Sequence, residues 1–300
     1  MIKVLELFSG IGACSKALSN LGIEHEIVDA VEIDKYAVGS FNAIHGTDFV
    51  PQDITEWDKD VECDLIMHGS PCQDFSIAGK QAGGDEGSGT RSSLMYETLR
   101  IVRKLKPKYV VWENVRNLLS KTHKHNFDAY ISNMDRLGYK SYYQIMNAKD
   151  YGVPQNRNRV FTVSIRGDVA SDGKFSFPKP IGLTKCIEDI LEDKVDEKFF
   201  LTQKQITSLN NSNFHQNKRF YSVKAVCPTL NTMEGGQRQP KIIIGDRIRR
   251  LTPKECWRAM GFDDGDFNKA EKINSNAQLY KQAGNSIVVQ VLEAIFKELL

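Results

Sequence analysis

No apolar run in this sequence approaches the roughly 18–20 residues that a helix needs to span a bilayer, so no membrane segment is expected. The cysteines at 14, 63, 72, 186, 227 and 256 include no C-x-x-C pair. Zinc sites are commonly built from such pairs, so no metal is expected. Residues 1–8 form a strand-like run with an acidic residue inside, not a basic stretch followed by an apolar one. No secretory leader is expected from them. Excess charge of either sign is also missing, because the net charge is +2. Any nucleic-acid surface must then be a local patch. There is no internal repeat, and no low-complexity tract beyond one glycine-rich loop. These absences point to a reduced, cytoplasmic protein. What is present supports a folded one: 41% of its 300 residues are hydrophobic, enough for a sizeable core. That length suits one large domain, or one large and one small.

The chain is organised around residues 69–76, Gly-Ser-Pro-Cys-Gln-Asp-Phe-Ser. The apolar run Asp64-Leu65-Ile66-Met67 before them reads as a buried strand. Gly69 and Pro71 end it in a turn. Cys72 is then presented at a strand's carboxyl end, where open α/β sheets place ligands. Residues 77–91 follow, with glycines at 79, 83, 84, 87 and 89 and no apolar period. That composition suits a moving loop, a candidate lid. A lone cysteine is usually a small buried hydrophobe. The proline before Cys72 and the loop after it favour a presented thiol instead. Such a nucleophile needs its thiolate stabilised by neighbouring donors or positive charge.

The chain opens with a strand over residues 2–8 and a tight turn, Ser9-Gly10-Ile11-Gly12. Ile11, Cys14, Ala17, Leu18 and Leu21 then share a helical face. Strand, glycine turn and helix begin a nucleotide-binding unit, although position 15 is Ser and the full G-x-G-x-x-G fingerprint is absent. An ordinary βα turn remains the simpler alternative. A second strand, Glu26 to Val31, ends at Glu32, placed to accept hydrogen bonds from ribose hydroxyls. Asp34 is a candidate cap for the next helix. Asp53 and Ile54 follow a short third strand; on residues alone, Asp53 is a turn aspartate. Ser92 to Lys106 reads as a helix whose basic residues, Arg100 among them, are its solvated face.

Strand five, Tyr109 to Trp112, ends in Glu113-Asn114-Val115. It places a carboxylate beside Cys72 if strands four and five are neighbours. Residues 142–148 and 159–165 are two further strands. Gln155-Asn-Arg157-Asn-Arg159 lies between them, either as surface charge or as an anion or base-edge contact. From about residue 167 the alternation fails, residues 175–180 look like a linker, and residues 198–246 are polar and irregular. Thr229 to Arg238 carries glycines and polar groups suited to a grooved partner. Arg238, Lys241, Arg247, Arg249, Arg250 and Lys254 form the strongest basic cluster. Thr252 caps a helix that opens at Pro253, and a last apolar helix runs from Asn285 onward.

Taken in order, these segments resemble the cytosine-C5 DNA methyltransferases of bacterial and phage type, nearly end to end. The first motif is Phe8-Ser-Gly10-Ile11-Gly12, the second Glu32-Ile33-Asp34 and the third Asp53. The fourth is Pro71-Cys72-Gln73, the sixth Glu113-Asn114-Val115 and the eighth Gln155-x-Arg157-x-Arg159. Arg250-Leu-Thr252-Pro253-x-Glu255-Cys256 is similar to the ninth motif and Gly284-Asn285-Ser286 to the tenth. Each is weak alone; Pro-Cys-Gln and Glu-Asn-Val in this order are together specific. Only the segment between the eighth and ninth has no counterpart, as expected of a variable target-recognition region.

The resemblance implies an α/β fold: a Rossmann-like S-adenosylmethionine-dependent methyltransferase sheet with a second, smaller, irregular target-recognition domain. Residues 1–185 plus 270–300 would form a discontinuous catalytic and cofactor-binding domain. Residues 186–269 would form the target-recognition domain and hinge. Cys72, Glu113, Arg157 and Arg159 are the implied catalytic set. Cys72 would attack C6 of a flipped-out cytosine, Glu113 would bond N3 and the exocyclic amine, and Arg159 would sit near O2. The cofactor set is Phe8, Gly10, Ile11, Gly12, Glu32, Ile33, Asp53, Ile54, Asn285 and Ser286. It would hold S-adenosyl-L-methionine, leaving S-adenosyl-L-homocysteine as product. Ile33 departs from the Trp that many relatives place against the adenine, so stacking there is weaker.

Gln73, Ser76, Arg91, Thr229, Asn231, Gly235, Gly236, Gln237 and Arg238 are the expected DNA contacts. The implied partner is double-stranded DNA, recognised by a monomer. A cognate restriction endonuclease would form no stable complex with it, and solitary or phage-borne protection is equally open. Two rivals stand beside this reading. The transfer-RNA branch shares the cysteine and Glu-Asn-Val, but usually has Pro-Pro-Cys where this chain has Ser70-Pro71-Cys72, and its Cys-Phe-Thr segment is missing. The other rival is an inactive DNA-binding relative, which the intact Cys72, Glu113 and Arg159 oppose.

Overall fold

The computed structural model describes residues 1–71, 83–85, 87–170, 175–211, 218–233 and 238–300. Two compact units divide the chain. The first holds residues 1–146, 158–179 and 291–300, the second residues 147–157 and 180–290. By packing, residues 147–157 and 270–290 therefore group with the second unit, whereas the functional division expected from the sequence assigns them to the catalytic part.

In the first unit β1 (Ile2–Leu7), α1 (Ala13–Asn20), β2 (His25–Val31), α2 (Lys35–His45), β3 (Leu65–His68), α3 (Met95–Leu105), β4 (Tyr109–Val115), α4 (Lys124–Arg136) and β5 (Tyr139–Asn147) follow in order. The short β6 (Gln155–Asn156) belongs to the second unit, and β7 (Asn158–Arg166) returns to the first. The sheet order is β2-β1-β3-β4-β7-β5. β1, β2, β3 and β4 pair in parallel, and β7 runs antiparallel to β4. Parallel strands are covered on both faces, which is why β3 is buried at all four positions. Leu5, Leu7, Ile66, Val110, Trp112, Leu99 and Tyr130 share the core around it. The chain passes from β1 outward to β2, then crosses back to β3 on β1's other side. The carboxyl ends of β1 and β3 therefore flank the switch point, where such sheets bind ligands.

The caps follow the residues that license them. Asp34 Oδ1 accepts from Tyr36 N at 2.9 Å and opens α2. Gly138, at φ 85°, closes α4. The expected third strand is absent. Pro51 cannot donate to a ladder, and side chains hold residues 52–59 instead. Gln52 Nε2, Trp57 Nε1 and Lys59 Nζ all donate to the Asp29 carboxylate, at 2.7–2.8 Å. Arg100, expected on a solvated face, donates Nη2 to Ile54 O and Trp57 O at 2.9 Å each.

The second unit is more ordered than its polar sequence suggests. It carries α5 (Gln203–Asn210), β8 (Phe220–Ser222), β9 (Cys227–Pro228), β10 (Lys241–Ile244) and β11 (Arg247–Arg250). α6 (Pro253–Arg258), α7 (Asp264–Glu271) and α8 (Asn276–Asn285) follow. β8, β10 and β11 form one small sheet, and β6 pairs with β9. Thr252 and Glu255 cap α6 reciprocally. The expected last helix starts late: Asn285 ends α8, and α9 spans Val289–Leu299. No helix among the described residues is long and apolar enough to cross a membrane.

One charged group sits inside the central sheet. Glu6 is 2% exposed and accepts from Ser15 N at 3.0 Å and from Ser15 Oγ, tying α1 to β1. Burial pushes its carboxyl up to about 7. The folded state therefore favours the protonated acid. This stability is fully present below the ordinary carboxyl value and lost as pH rises through about 7. Linkage puts the effect at about 3 kcal/mol. Glu6→Gln should remove that dependence, so thermal unfolding at about pH 5 and about pH 8 should show wild type losing stability relative to the variant. An equal gap at both pH values would mean that Glu6 does not titrate in this range.

Candidate active site

Strand pairing brings the carboxyl group and the guanidinium of the site together. β4 and β7 set Val115 opposite Arg159 and Glu113 opposite Phe161. Glu113 and Arg159 are thus diagonal neighbours on one sheet face. Arg159 Nε lies 2.9 Å from Glu113 Oε1. That is an ion-pair distance, yet among the described residues no hydrogen bond to Oε1 has acceptable geometry. Glu113 is 8% exposed, so this oxygen is nearly dry and still able to accept a donor.

The residues around Glu113 fix the turn that leads to Cys72. Asn114 Nδ2 donates to Ser70 O at 3.3 Å, and Trp112 Nε1 to Ser70 Oγ at 3.0 Å. His68 stacks on Trp112 with centroids 5.6 Å apart and planes 6° apart. Burial holds the imidazole down to about 3, so it is neutral near pH 7, with Nε2 3.0 Å from the Tyr130 hydroxyl. Ser70 and Pro71 therefore stand on a rigid aromatic base. Cys72, Gln73 and Ser76 lie outside the described residues.

The glycine turn after β1 has a different physical basis. Phe8, Gly10 and Gly12 have φ of 53°, 55° and 80°. A Cβ on Gly12 would stand 2.1 Å from His45 Nε2, so only glycine fits there. Glu32 accepts from Gly10 N at 3.1 Å and Asp34 N at 2.9 Å. Burial, with Asp34 adding to it, raises its carboxyl above the ordinary value despite those donors. Gln52 N donates to Glu32 O at 2.8 Å, which brings Asp53 and Ile54 beside Glu32. Asp53 Oδ1 caps Thr55 N at 2.9 Å. Ile54 is buried, whereas Ile33 is 62% exposed. Ile11 is buried at the start of α1, and Ser9 Oγ is buried with no hydrogen-bond partner among the described residues. A hydroxyl without a partner among the described residues, a half-buried carboxyl group and an exposed apolar side chain fit a nucleoside with a flat face and hydroxyls.

In the second unit the expected residues separate. Arg157 was grouped with Arg159 as a catalytic cation, and its placement argues otherwise. It is 4% exposed, and its guanidinium donates to the carbonyls of Leu230, Gly284 and Ser286 at 2.8, 3.1 and 2.8 Å. Asn285 is exposed and Ser286 buried, just where α8 ends. Thr229, Asn231 and Arg238 line a groove of about 250 Å³ with Arg219 and Tyr221. Sequence reading missed those last two; the basic-aromatic run Lys218-Arg219-Phe220-Tyr221 is the signal that could have found them. Arg91 is exposed in a short 3₁₀ turn of the first unit. Gly235, Gly236 and Gln237 lie outside the described residues.

The basic cluster is largely spent internally. Arg249 forms a buried two-pronged pair with Glu255 at 2.7 and 2.8 Å. Lys241 is 2% exposed, and burial lowers its ammonium to about 8. Arg247 pairs with Glu197 and lies 3.8 Å over the Phe200 ring. Lys254 is 3.7 Å from Glu192. Of the cluster, Arg238 is the member exposed on the groove.

Comparison with known proteins agrees over the full length. The profile of the C-5 cytosine-specific DNA methylase family matches residues 2–300. The chain is 35% identical to the type II methyltransferase M2.ScrFI of Lactococcus lactis subsp. cremoris, covering 100% of this chain and 99% of that protein. It is 32% identical to the orphan methyltransferase M.SPBetaI of Bacillus phage SPbeta, covering 100% and 97%. A crystal structure of a mutant DNMT2 from Spodoptera frugiperda superposes with a TM-score of 0.81 at 21% identity, covering 100% and 99%. That likeness shows the fold.

The Arg249–Glu255 pair yields a direct test. Breaking a buried pair from one side leaves an uncompensated charge and typically costs about 3–5 kcal/mol. Arg249→Met should therefore lower the urea midpoint strongly while leaving the salt dependence of DNA binding unchanged. A stable variant with a shallower salt slope would instead make Arg249 a phosphate contact.

Proposed function

The chain belongs to the C-5 cytosine-specific DNA methylase family and is a DNA (cytosine-5-)-methyltransferase, and from that premise we propose how its residues carry the reaction. Cys72 is the nucleophile. Its thiolate adds to C6 of a cytosine turned out of the duplex, and the C5–C6 double bond opens so that C5 becomes nucleophilic. Glu113 holds the base at N3 and the exocyclic amine and supplies the proton that offsets charge at N3. Arg159 keeps the Glu113 carboxyl group in place and faces O2. Once C5 carries the methyl group, loss of the C5 proton to water re-forms the C5–C6 double bond and expels the Cys72 thiolate, and N3 returns its proton to Glu113. The observation that carries this reading is the Glu113 oxygen, buried, beside Arg159, and lacking a hydrogen bond.

S-adenosyl-L-methionine, when bound, supplies an electrophilic methyl group on sulfur; S-adenosyl-L-homocysteine remains. In our reading Phe8 gives a ring face, Glu32 takes ribose hydroxyls and Asp53 takes the exocyclic amine. Gly10, Ile11, Gly12 and Ile54 shape the floor, Ile33 covers the adenine, and Asn285 and Ser286 take the methionine part. The buried Ser9 Oγ and the Gly12 approach to His45 support that assignment. No metal is part of it. The substrate is duplex DNA, met by a cytoplasmic monomer. Its relatives include both type II and orphan phage enzymes, so a partner endonuclease is one of two settings. Residues 186–256 read the target: groove side chains near Thr229, Asn231 and Arg238 face base edges, where each good contact is worth about 1–3 kcal/mol.

Cys72→Ser should abolish transfer of tritiated methyl groups while cofactor binding stays nearly intact, because an alcohol is a far poorer nucleophile than a thiolate. Turnover within a few-fold of wild type would remove Cys72 from this role. Glu113→Gln should slow the reaction by about 100-fold or more; adduct trapping at the normal rate would clear Glu113. Assays with duplex DNA and transfer RNA in parallel separate the two substrate classes, and bisulfite sequencing after expression maps the target. Exchanging residues 186–256 with those of a relative should exchange that target. An active chimera that keeps the original site would move recognition elsewhere.

A further inference from the structure

Three backbone carbonyls, distant in sequence, converge on one buried guanidinium. Arg157 Nη1 donates to Leu230 O at 2.8 Å, and Nη2 to Gly284 O at 3.1 Å and Ser286 O at 2.8 Å. A planar guanidinium presents several donors in fixed directions, which a single ammonium cannot copy. A second contact joins the same segments without a side chain. A Cβ on Gly284 would stand 2.0 Å from Asn231 O and 2.2 Å from Asn231 C, so the two backbones pack directly. The neighbours of Arg157 complete the joint. Gln155 Oε1 accepts from Leu230 N at 3.1 Å, and Thr229 Oγ1 donates to Asn156 O at 2.6 Å. Residues 229–231 and 284–286 are therefore both fastened to residues 155–157, all within the second unit.

We propose that Arg157 is a positioning residue that couples the DNA-side segment Thr229–Asn231 to the Gly284-Asn285-Ser286 turn, so that occupancy of either segment strengthens binding at the other. This rests on the reading above, in which the first segment meets DNA and the second meets the cofactor. Two backbones held by one rigid side chain do not order independently. A ligand that orders one lowers the entropy still to be lost at the other. Linkage makes the effect reciprocal. Arg157 and Arg159 then differ in kind: Arg159 serves the reacting base through Glu113, and Arg157 serves binding.

S-adenosyl-L-homocysteine is the probe, with binding to the full chain measured calorimetrically, with and without the duplex that the wild type methylates. A wild-type protein that neither binds it nor transfers methyl groups would remove the functional reading, and this inference with it. Where the wild type does both, Arg157→Lys should weaken probe binding by at least about fivefold, the low end of usual coupling factors. It should raise KM for both substrates more than it lowers kcat, and lose the enhancement by DNA. Weaker effects on binding, or a loss confined to kcat, overturn the coupling while leaving the methyltransferase intact. Hydrogen exchange on the unaltered protein decides the matter even if the variant does not fold. The probe should slow exchange at residues 229–233 and the duplex at residues 284–287. Protection confined to each ligand's own segment overturns the proposal.

Discussion

A carboxyl group that is only 8% exposed needs a cation beside it, and here the cation comes from the antiparallel strand. A buried charge without a partner is costly enough to neutralise itself or unfold its surroundings. β7 runs against β4, so Arg159 lies diagonally across from Glu113 on the same face. The pair meets at 2.9 Å without a hydrogen bond to Glu113 Oε1. The carboxyl group is held in place while one of its oxygens stays available. A straight two-pronged bond, like that of Arg249 to Glu255, would stabilise the carboxylate more and leave it less to offer. One pair is closed on itself by two hydrogen bonds, and the other leaves a carboxyl oxygen open.

The same strand end also holds the turn that precedes Cys72. Trp112, Glu113 and Asn114 are consecutive, and Trp112 and Asn114 both bind Ser70. Whatever fixes β4 against β3 therefore fixes Glu113 and the turn entering Cys72 together. Parallel pairing of His68 with Trp112 and the stacking of their rings supply that fixation. A site built this way inherits its precision from ladder geometry and a packed core rather than from its loops. Its other half is more locally determined. The left-handed backbone at Phe8, Gly10 and Gly12 and the donors to Glu32 come from one turn and the adjacent strand end.

How much of this was legible in the sequence depended on whether a residue's partner lay nearby. The strand–turn–helix opening, the caps at Asp34 and Thr252 and the stop at Gly138 are local, and they could be read. So could the adjacency of β3 and β4, because a single helical crossover normally joins neighbouring parallel strands. The third strand was misread because Asp29 holds residues 52–59 by side chains, and nothing in those residues announces it. Arg157 and Arg159 look equivalent on one extended segment. Alternation would keep residues two apart on one side, but Arg157 falls in the break between β6 and β7, so Arg159 reaches Glu113 and Arg157 reaches three carbonyls of the second unit. Arg247 and Arg249 fell into the basic cluster for a similar reason: Glu197 and Glu255 pair with them only in the folded chain.

That internal spending of charge shapes what the second unit has left for a partner. With Lys241 buried and Arg249 paired, nonspecific attraction to phosphate rests on few cations, consistent with a nearly neutral chain. The groove then presents Arg219, Tyr221, Thr229, Asn231 and Arg238, a mixture of donors, acceptors and one ring. Such a set reads hydrogen-bond patterns better than it gathers charge. The side chains are carried on short strands and on a segment fastened through its backbone, at Leu230 and at the Asn231–Gly284 contact. Leu230 and Asn231 are fastened by backbone, which leaves their side-chain identity unconstrained, whereas Thr229 adds its own side chain to the joint through Asn156 O. The exposed Arg219 and Arg238 can therefore change without disturbing the joint, whereas Trp112 and Asn114 cannot change without releasing Ser70. The groove and the surroundings of Glu113 are thus held by different kinds of bond.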